Sequence, residues 1–200
     1  SNTPTPPNIP FVKGDVTLFE DFQQFNDQQV GYSTDNAKGK SVIDVYTLAD
    51  LPISAYGEDR FMNANTIYRV HGLVGPISSA LKTLAGTEIV GVRGVEHDAL
   101  TWQPNVEYPL YISDGGATVE DVAINYTTET GNPVSSVGIA SSLNNDPILF
   151  RNVRLNDTGT LGTSIAQGIS IISNAIPSIT FDNVSSNMLG GTGISAGGEI

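Results

Sequence analysis

The sequence predicts an all-β chain: a right-handed parallel β-helix of about 31-residue coils, preceded by an extended proline-rich arm and a short amphipathic helix. Three observations lead there. An apolar residue, then Asp or Asn two on, then Val, then Asn three further on, falls at Val119/Asp121/Val122/Asn125, Phe150/Asn152/Val153/Asn156 and Phe181/Asn183/Val184/Asn187, 31 residues apart both times. A period of this size marks a solenoid. A looser repeat lies between these segments: Gly138-Ile139-Ala140-Ser141 matches Gly168-Ile169-Ser170-Ile171, Asn144 matches Asn174 and Pro147 matches Pro177, all at an offset of 30. Each repeat therefore holds two short extended runs separated by a turn. The runs are rich in Val, Ile and Phe and bounded by Gly, Asn, Asp and Pro, so they read as strands and are too short for helices.

Stacking gives the repeat a physical reason. At the strand spacing of about 4.8 Å, Asn125, Asn156 and Asn187 would lie above one another, each amide donating to the next carbonyl in a ladder. The same register puts Val122, Val153 and Val184 inside, each coil covering the apolar face of its neighbour. The competing architecture is a β-sandwich with coincidentally similar strands.

Taken in chain order, residues 1–40 form the first predicted region and residues 41–200 the β-helical body. Pro4, Pro6, Pro7 and Pro10 crowd the start and favour an extended arm without hydrogen bonds of its own. Thr17 and Glu20 have capping-box spacing, and Leu18, Phe22 and Phe25 share one face of the short helix they open. Pro6, Pro7, Pro10, Phe11, Phe19, Phe22 and Phe25 are thus the residues expected to attach this region to a larger surface. Beyond Ser41, the segment Val42 to Leu48 reads as a strand, Ala49-Asp50-Leu51-Pro52 as a turn and Asn65 to Val70 as a strand, and Gly72 to Gly75 leads into the coils. The glycine-rich stretch from Gly190 to Ile200 reads as another coil beginning, so the natural polypeptide is expected to continue.

Composition bounds the function. Apolar residues make up 39% of the 200, enough for a core, while only 15% are charged. The net charge of −12 argues against a phosphate-binding surface, and hence against nucleic acid or an acidic membrane as partner. No run approaches the roughly 18 apolar residues a membrane-spanning helix needs. Without cysteine there is no disulfide, thiolate metal site or thiol nucleophile, and no pattern calls for a cofactor.

A resemblance becomes visible in Leu48-Ala49-Asp50-Leu51-Pro52, Asn65 to Val70, Leu84-Ala85-Gly86-Thr87-Glu88-Ile89-Val90-Gly91-Val92 and Val119 to Ile124. Over roughly residues 42–187 the chain resembles the β-helical structural proteins of tailed bacteriophages, and shares elements with pectate-lyase-like solenoids in general. The resemblance implies a virion protein: the N-terminal anchoring part of a trimeric tail fibre or tailspike, or else a capsid decoration or head fibre. Its implied partners are other virion proteins, reached through the N-terminal region, and host surface polysaccharide. The enzymatic spikes place their acids in a longer body, which puts depolymerase activity in doubt here.

Candidate chemistry is sparse. Glycoside hydrolysis needs two carboxyls about 5 to 9.5 Å apart, and Asp121 and Asp182 are expected two coils apart in one row, with Asn152 between them. Asp or Asn at that place is more economically a turn or ladder residue. Glu96-His97-Asp98 offers three ligand types, but neighbours on an extended chain face opposite ways. No catalytic or metal-binding residue is therefore assigned. Trp102, Tyr108 and Tyr111 cluster between the first two coils and could stack on sugar rings; the competing expectation is a packed aromatic patch, since Trp is highly buried on average.

Overall fold

A computed structural model describes residues 39–52, 60–104, 106–127, 135–140, 146–158, 167–172, 178–187 and 192–196. The chain divides into two units, 1–40 and 41–200, and all the described strands belong to the second. The predicted arm with Pro6, Pro7, Pro10 and Phe11, and the predicted helix with Phe19, Phe22 and Phe25, lie outside the described residues.

The described strands are β1 (Ser41–Val45), β2 (Arg60–Phe61), β3 (Thr66–Val70), β4 (Leu73–Ile77), β5 (Leu81–Thr83), β6 (Thr87–Gly91) and β7 (Ala99–Trp102). They continue with β8 (Leu110–Ile112), β9 (Ala117–Tyr126), β10 (Ser135–Ile139), β11 (Ile148–Asp157), β12 (Gln167–Ile171), β13 (Ile179–Ser186) and β14 (Thr192–Ala196). Between β1 and β2 the expected turn is one turn of 3₁₀ helix, Leu48–Asp50. The Asp50 carboxylate accepts from the Tyr46 and Thr47 N–H groups at 2.9 and 3.0 Å, and Thr47 Oγ1 accepts from the Ala49 N–H.

Two sheets result, and every strand pairing among the described residues is parallel. The first runs β1-β3-β6-β9-β11-β13, with β4 joined to β7 and β7 to β9; the second runs β14-β12-β10-β8-β5-β2. From β8 onward the chain alternates strictly between the two sheets. Parallel pairing disposes of the β-sandwich, which is antiparallel.

Strand length changes along the first sheet for an identifiable reason. β6 pairs with the first part of β9 (Thr87 with Ala117), and β7 pairs with the last part (Ala99 with Ala123). Two strands and the loop between them are thus replaced, one level on, by a single ten-residue strand. Asp121 makes the bend that the loop makes below, by taking a left-handed backbone at φ 57°.

From β9 the first sheet keeps the 31-residue interval: Val119, Phe150 and Phe181 stack in register, as do Val122, Val153 and Val184. Val119, Val122, Phe150 and Val153 are buried, and the Phe150 and Phe181 rings stack with centroids 5.6 Å apart. Each such burial stabilises by about 1.5–3 kcal/mol. The second sheet departs from the expected offset of 30. Val137 pairs with Ile169 and Ile139 with Ile171, an interval of 32, so Gly138 lies opposite Ser170 and not Gly168. Side chains alternate between faces, so a shift of two residues keeps Val137, Ile139, Ile169 and Ile171 on the core side. Earlier levels are shorter, with Ile67 opposite Glu88 and Leu81 opposite Leu110.

Candidate functional site: a polar groove at the strand bend

The second place of the repeated pattern has an unusual backbone. Asp121, Asn152 and Asn183 have φ of 57°, 50° and 56°, a region in which Asp and Asn are the least disfavoured residues after glycine. Their side chains form a ladder: Asn183 Nδ2 donates to Asn152 Oδ1 at 2.7 Å, and Asn152 Nδ2 donates to Asp121 Oδ1 at 2.9 Å. Donation runs one way and ends on an ionised carboxylate, which only accepts. Beneath it lies Gly91, where a Cβ would stand 1.9 Å from the Asp121 carbonyl oxygen.

Of the predicted asparagine ladder, the rung between Asn125 and Asn156 is present and Asn187 bonds elsewhere. Asn156 Nδ2 donates to Asn125 Oδ1 at 2.8 Å, and Asn125 Nδ2 donates to Thr101 Oγ1 at 3.1 Å. Asn187 instead turns to the backbone and accepts from the Asp157 N–H at 2.8 Å.

Asp182 does not share a row with Asp121. Strand register sets Asp182 opposite Arg151, and Arg151 opposite Glu120. Arg151 bridges the two, with Nη1 3.0 Å from Glu120 and Nε 3.3 Å from Asp182. The expected two-carboxylate row thus fails because the residues are 61 apart, one short of two 31-residue intervals, and adjacent strand residues face opposite ways. Burial pushes the Glu120 carboxyl above the usual range, opposed by the hydrogen bond from Arg151. Burial also raises Asp121, against the hydrogen bond from Asn152.

Over the ladder lies a groove of about 270 Å³, lined by Gly94, Val95, Asp121, Asn152, Val153, Arg154, Asn183 and Ser185. Arg154 stands opposite Ser185 on the neighbouring strand and forms an ion pair with Glu96 from the loop between β6 and β7. That loop is held by Asp98, fully buried, whose carboxylate accepts from the Gly72 N–H at 2.8 Å and from the Arg93 N–H. Asp98 is therefore a loop-fixing residue, and no group of three metal-ligating side chains occurs among the described residues.

The aromatic trio separates. Trp102 is 2% exposed and donates its indole N–H to the Ser79 carbonyl at 3.0 Å, so it offers no face to a sugar. Tyr108 and Tyr111 remain half-buried as a tilted pair 5.7 Å apart, packed down on Gly138. Lys82 lies over the Tyr111 ring at 5.0 Å and over the Phe61 ring at 5.5 Å.

One cluster escaped sequence reasoning altogether. Asp44 accepts two bonds from Arg69, at 2.8 and 2.9 Å, and contacts His71 Nε2 at 2.7 Å, while His71 stacks on Tyr46. Burial would raise the Asp44 carboxyl, but the hydrogen bonds and charges of His71 and Arg69 outweigh it and hold the group at about 2. Asp44 and Arg69 meet at a 25-residue interval that occurs between β1 and β3 alone among the first sheet's main-path pairings, so no repeat advertised it. Glu96 and Arg154, 58 residues apart, were equally silent. Comparison with protein-family models, with curated proteins and with solved structures finds no match to this chain.

Proposed function

We propose that this chain is a non-enzymatic structural protein of a tailed-bacteriophage particle: the N-terminal anchoring part of a trimeric tail fibre or tailspike that takes part in host attachment. In this reading residues 41–200 form a right-handed parallel β-helix. The hand follows from the rule that parallel crossover connections in one sheet are right-handed in about 98% of cases. Residues 1–40 are the attachment region, through Pro6, Pro7, Pro10, Phe11, Phe19, Phe22 and Phe25. A capsid decoration or head fibre is the same reading with a different anchoring site.

The observation that carries it is the in-register parallel stacking from β9 to β13, with polar rows closed by ladders and ion pairs. Such stacking makes an extendable, stiff body. It also weighs against a polysaccharide-degrading enzyme, the second reading. Asp121 is bonded to Asn152, Glu120 and Asp182 are tied to Arg151, and Glu96 is tied to Arg154. An acid and base pair needs one carboxyl kept protonated beside a free one.

A cryo-EM map of the source particle tests the proposal. Density for this fold on the tail or capsid, three copies together, with residues 1–40 against another particle protein, is the expected result. Absence from every particle, with turnover of bacterial polysaccharide lost in Asp121→Asn, would establish the enzyme instead.

A further inference from the structure

We propose that the outward row Phe61, Lys82 and Tyr111 on the second sheet binds a polyproline II segment with a proline at every third residue, and that its occupant is residues 4–10 of a second copy of this chain. Strand register sets Phe61 opposite Lys82 and Lys82 opposite Tyr111. Leu81 and Leu110, next to them on their strands, lie in the core, so the row faces outward. Lys82 Nζ stands over both rings, and Phe61 is 52% exposed. Tyr108 joins the row from a left-handed backbone at φ 48°, which is rare for so bulky a residue and typical of ligand clamps. Its ring and that of Tyr111 rest on Gly138, where a Cβ would stand 2.8 and 2.9 Å from them. The absence of a side chain at Gly138 is what seats both rings.

Spacing selects the ligand. Phe61 and Tyr111 are two levels apart, roughly 9.6 Å at the strand spacing. A polyproline II helix has three residues per turn and advances about 9.3 Å in each turn. Prolines three apart, on a helix lying along the direction in which the strands stack, therefore meet the two rings one turn apart. At the level between them Lys82 meets a backbone whose carbonyls have no partner within their own helix. A β-strand returns to one face about every 6.7 Å and an α-helix about every 5.4 Å, so neither places one residue on each ring. Aromatic rows take proline-rich segments readily because such a ligand is ordered before it binds. This chain carries one: Pro4, Pro7 and Pro10 fall at the required interval, and residues 1–12 include no charged side chain for a chain of net charge −12 to repel. Pro6 and Phe11 fall on the other faces of that helix and are left to the particle. That the donor is a second copy rests on the trimeric reading above; the preference for a proline at every third residue does not.

The test has two arms. In the first, the full 200-residue chain with Pro4→Ala, Pro7→Ala and Pro10→Ala, whose own segment can no longer compete, is titrated into a labelled peptide of residues 1–12 and followed by fluorescence anisotropy. Saturable binding is expected, at least about tenfold weaker for a peptide of the same composition in which no two prolines are three apart, and at least about tenfold weaker when Phe61→Ser is added. Phe61 is exposed, so that change leaves the core intact. No saturable binding, equal binding of the rearranged peptide, or equal binding after Phe61→Ser would each overturn the assignment of the row. In the second arm, sedimentation velocity compares the unaltered chain with the triple proline variant, and self-association is expected to weaken at least about tenfold in the variant. A chain that binds the peptide yet sediments as a monomer, or associates equally without the prolines, would overturn the second copy as donor; a monomer would also remove the trimer of the particle reading, and in both cases the specificity of the row would stand.

Discussion

A single backbone torsion decides most of the chemistry at the groove. Asn152 sits at φ 50°, donates to Asp121 and accepts from Asn183. Asn152→Gly keeps the backbone and loses two hydrogen bonds, whereas Asn152→Ala loses the bonds and adds left-handed strain of about 1 kcal/mol. Urea unfolding is expected to rank them wild type, Gly, Ala in falling stability, the Ala variant about 2–3 kcal/mol below wild type. Gly91→Ala meets a backbone oxygen and not a flexible side chain, so a loss of at least about 3 kcal/mol is expected in the same assay. Asp44 acts through charge. Because its carboxyl is held at about 2 against an ordinary 3.8, its stabilisation is complete above about pH 4 and is lost as pH falls through the folded value. Its partial exposure reduces the effect to about 1 kcal/mol. Stability of Asp44→Asn and wild type should therefore converge between about pH 4 and pH 2, and parallel curves across that window would refute the pairing.

At the scale of elements, β9 and β11 combine an apolar row, a bend and a charged row within ten residues each. Asp121 ends the ladder on β9 as a partly desolvated carboxylate whose folded value is raised. A raised acid costs stability above its folded value and none below its unfolded one. Asp121→Asn keeps the acceptor for Asn152 and removes the charge, so it should stabilise by up to about 1 kcal/mol at neutral pH and be neutral near pH 3, read from melting temperatures at both. A loss of stability at neutral pH would mean the carboxylate makes a bond that the amide cannot replace. On the core side, Phe150 stacks between Val119 and Phe181 and is fully buried. Phe150→Ala is expected to cost about 3–5 kcal/mol in urea unfolding, more than any change on the outward row of Glu120, Arg151 and Asp182, where exposed ion pairs are worth about 1 kcal/mol or less.

For the whole molecule, the proposed β-helix makes a demand that a closed domain does not. If neighbours meet only neighbours, excising residues 126–156, one 31-residue interval, removes β10 and most of β11 and lets β9 stack on β13 and β8 on β12. The shortened chain is expected to keep a β-type circular dichroism spectrum and a cooperative melt at lower temperature. Loss of folded structure would count against independent levels. The two sheets are also not equally regular, since the first holds an interval of 31 where the second holds 32 and then 25. The segments between the strands differ in length accordingly, and connecting segments tolerate length changes that stacked strands cannot.

By itself the sequence determined the all-β class, the parallel stacking of the Val119, Phe150 and Phe181 segments and their shared register. It could do so because in-register stacking repeats one environment at one interval, and the same residue types satisfy it each time. It also marked Asp121 and Asn152 as turn or ladder residues, though not the left-handed torsion behind the choice. Tertiary structure alone decided the rest. The Glu96–Arg154 pair and the Asp44–Arg69–His71 cluster depend on levels of unequal length, so no interval repeats to reveal them; the burial of Trp102, by contrast, was an expectation its residue type already carried. The partner of Asp182 turned on a difference of one residue, which in a strand is the difference between two faces.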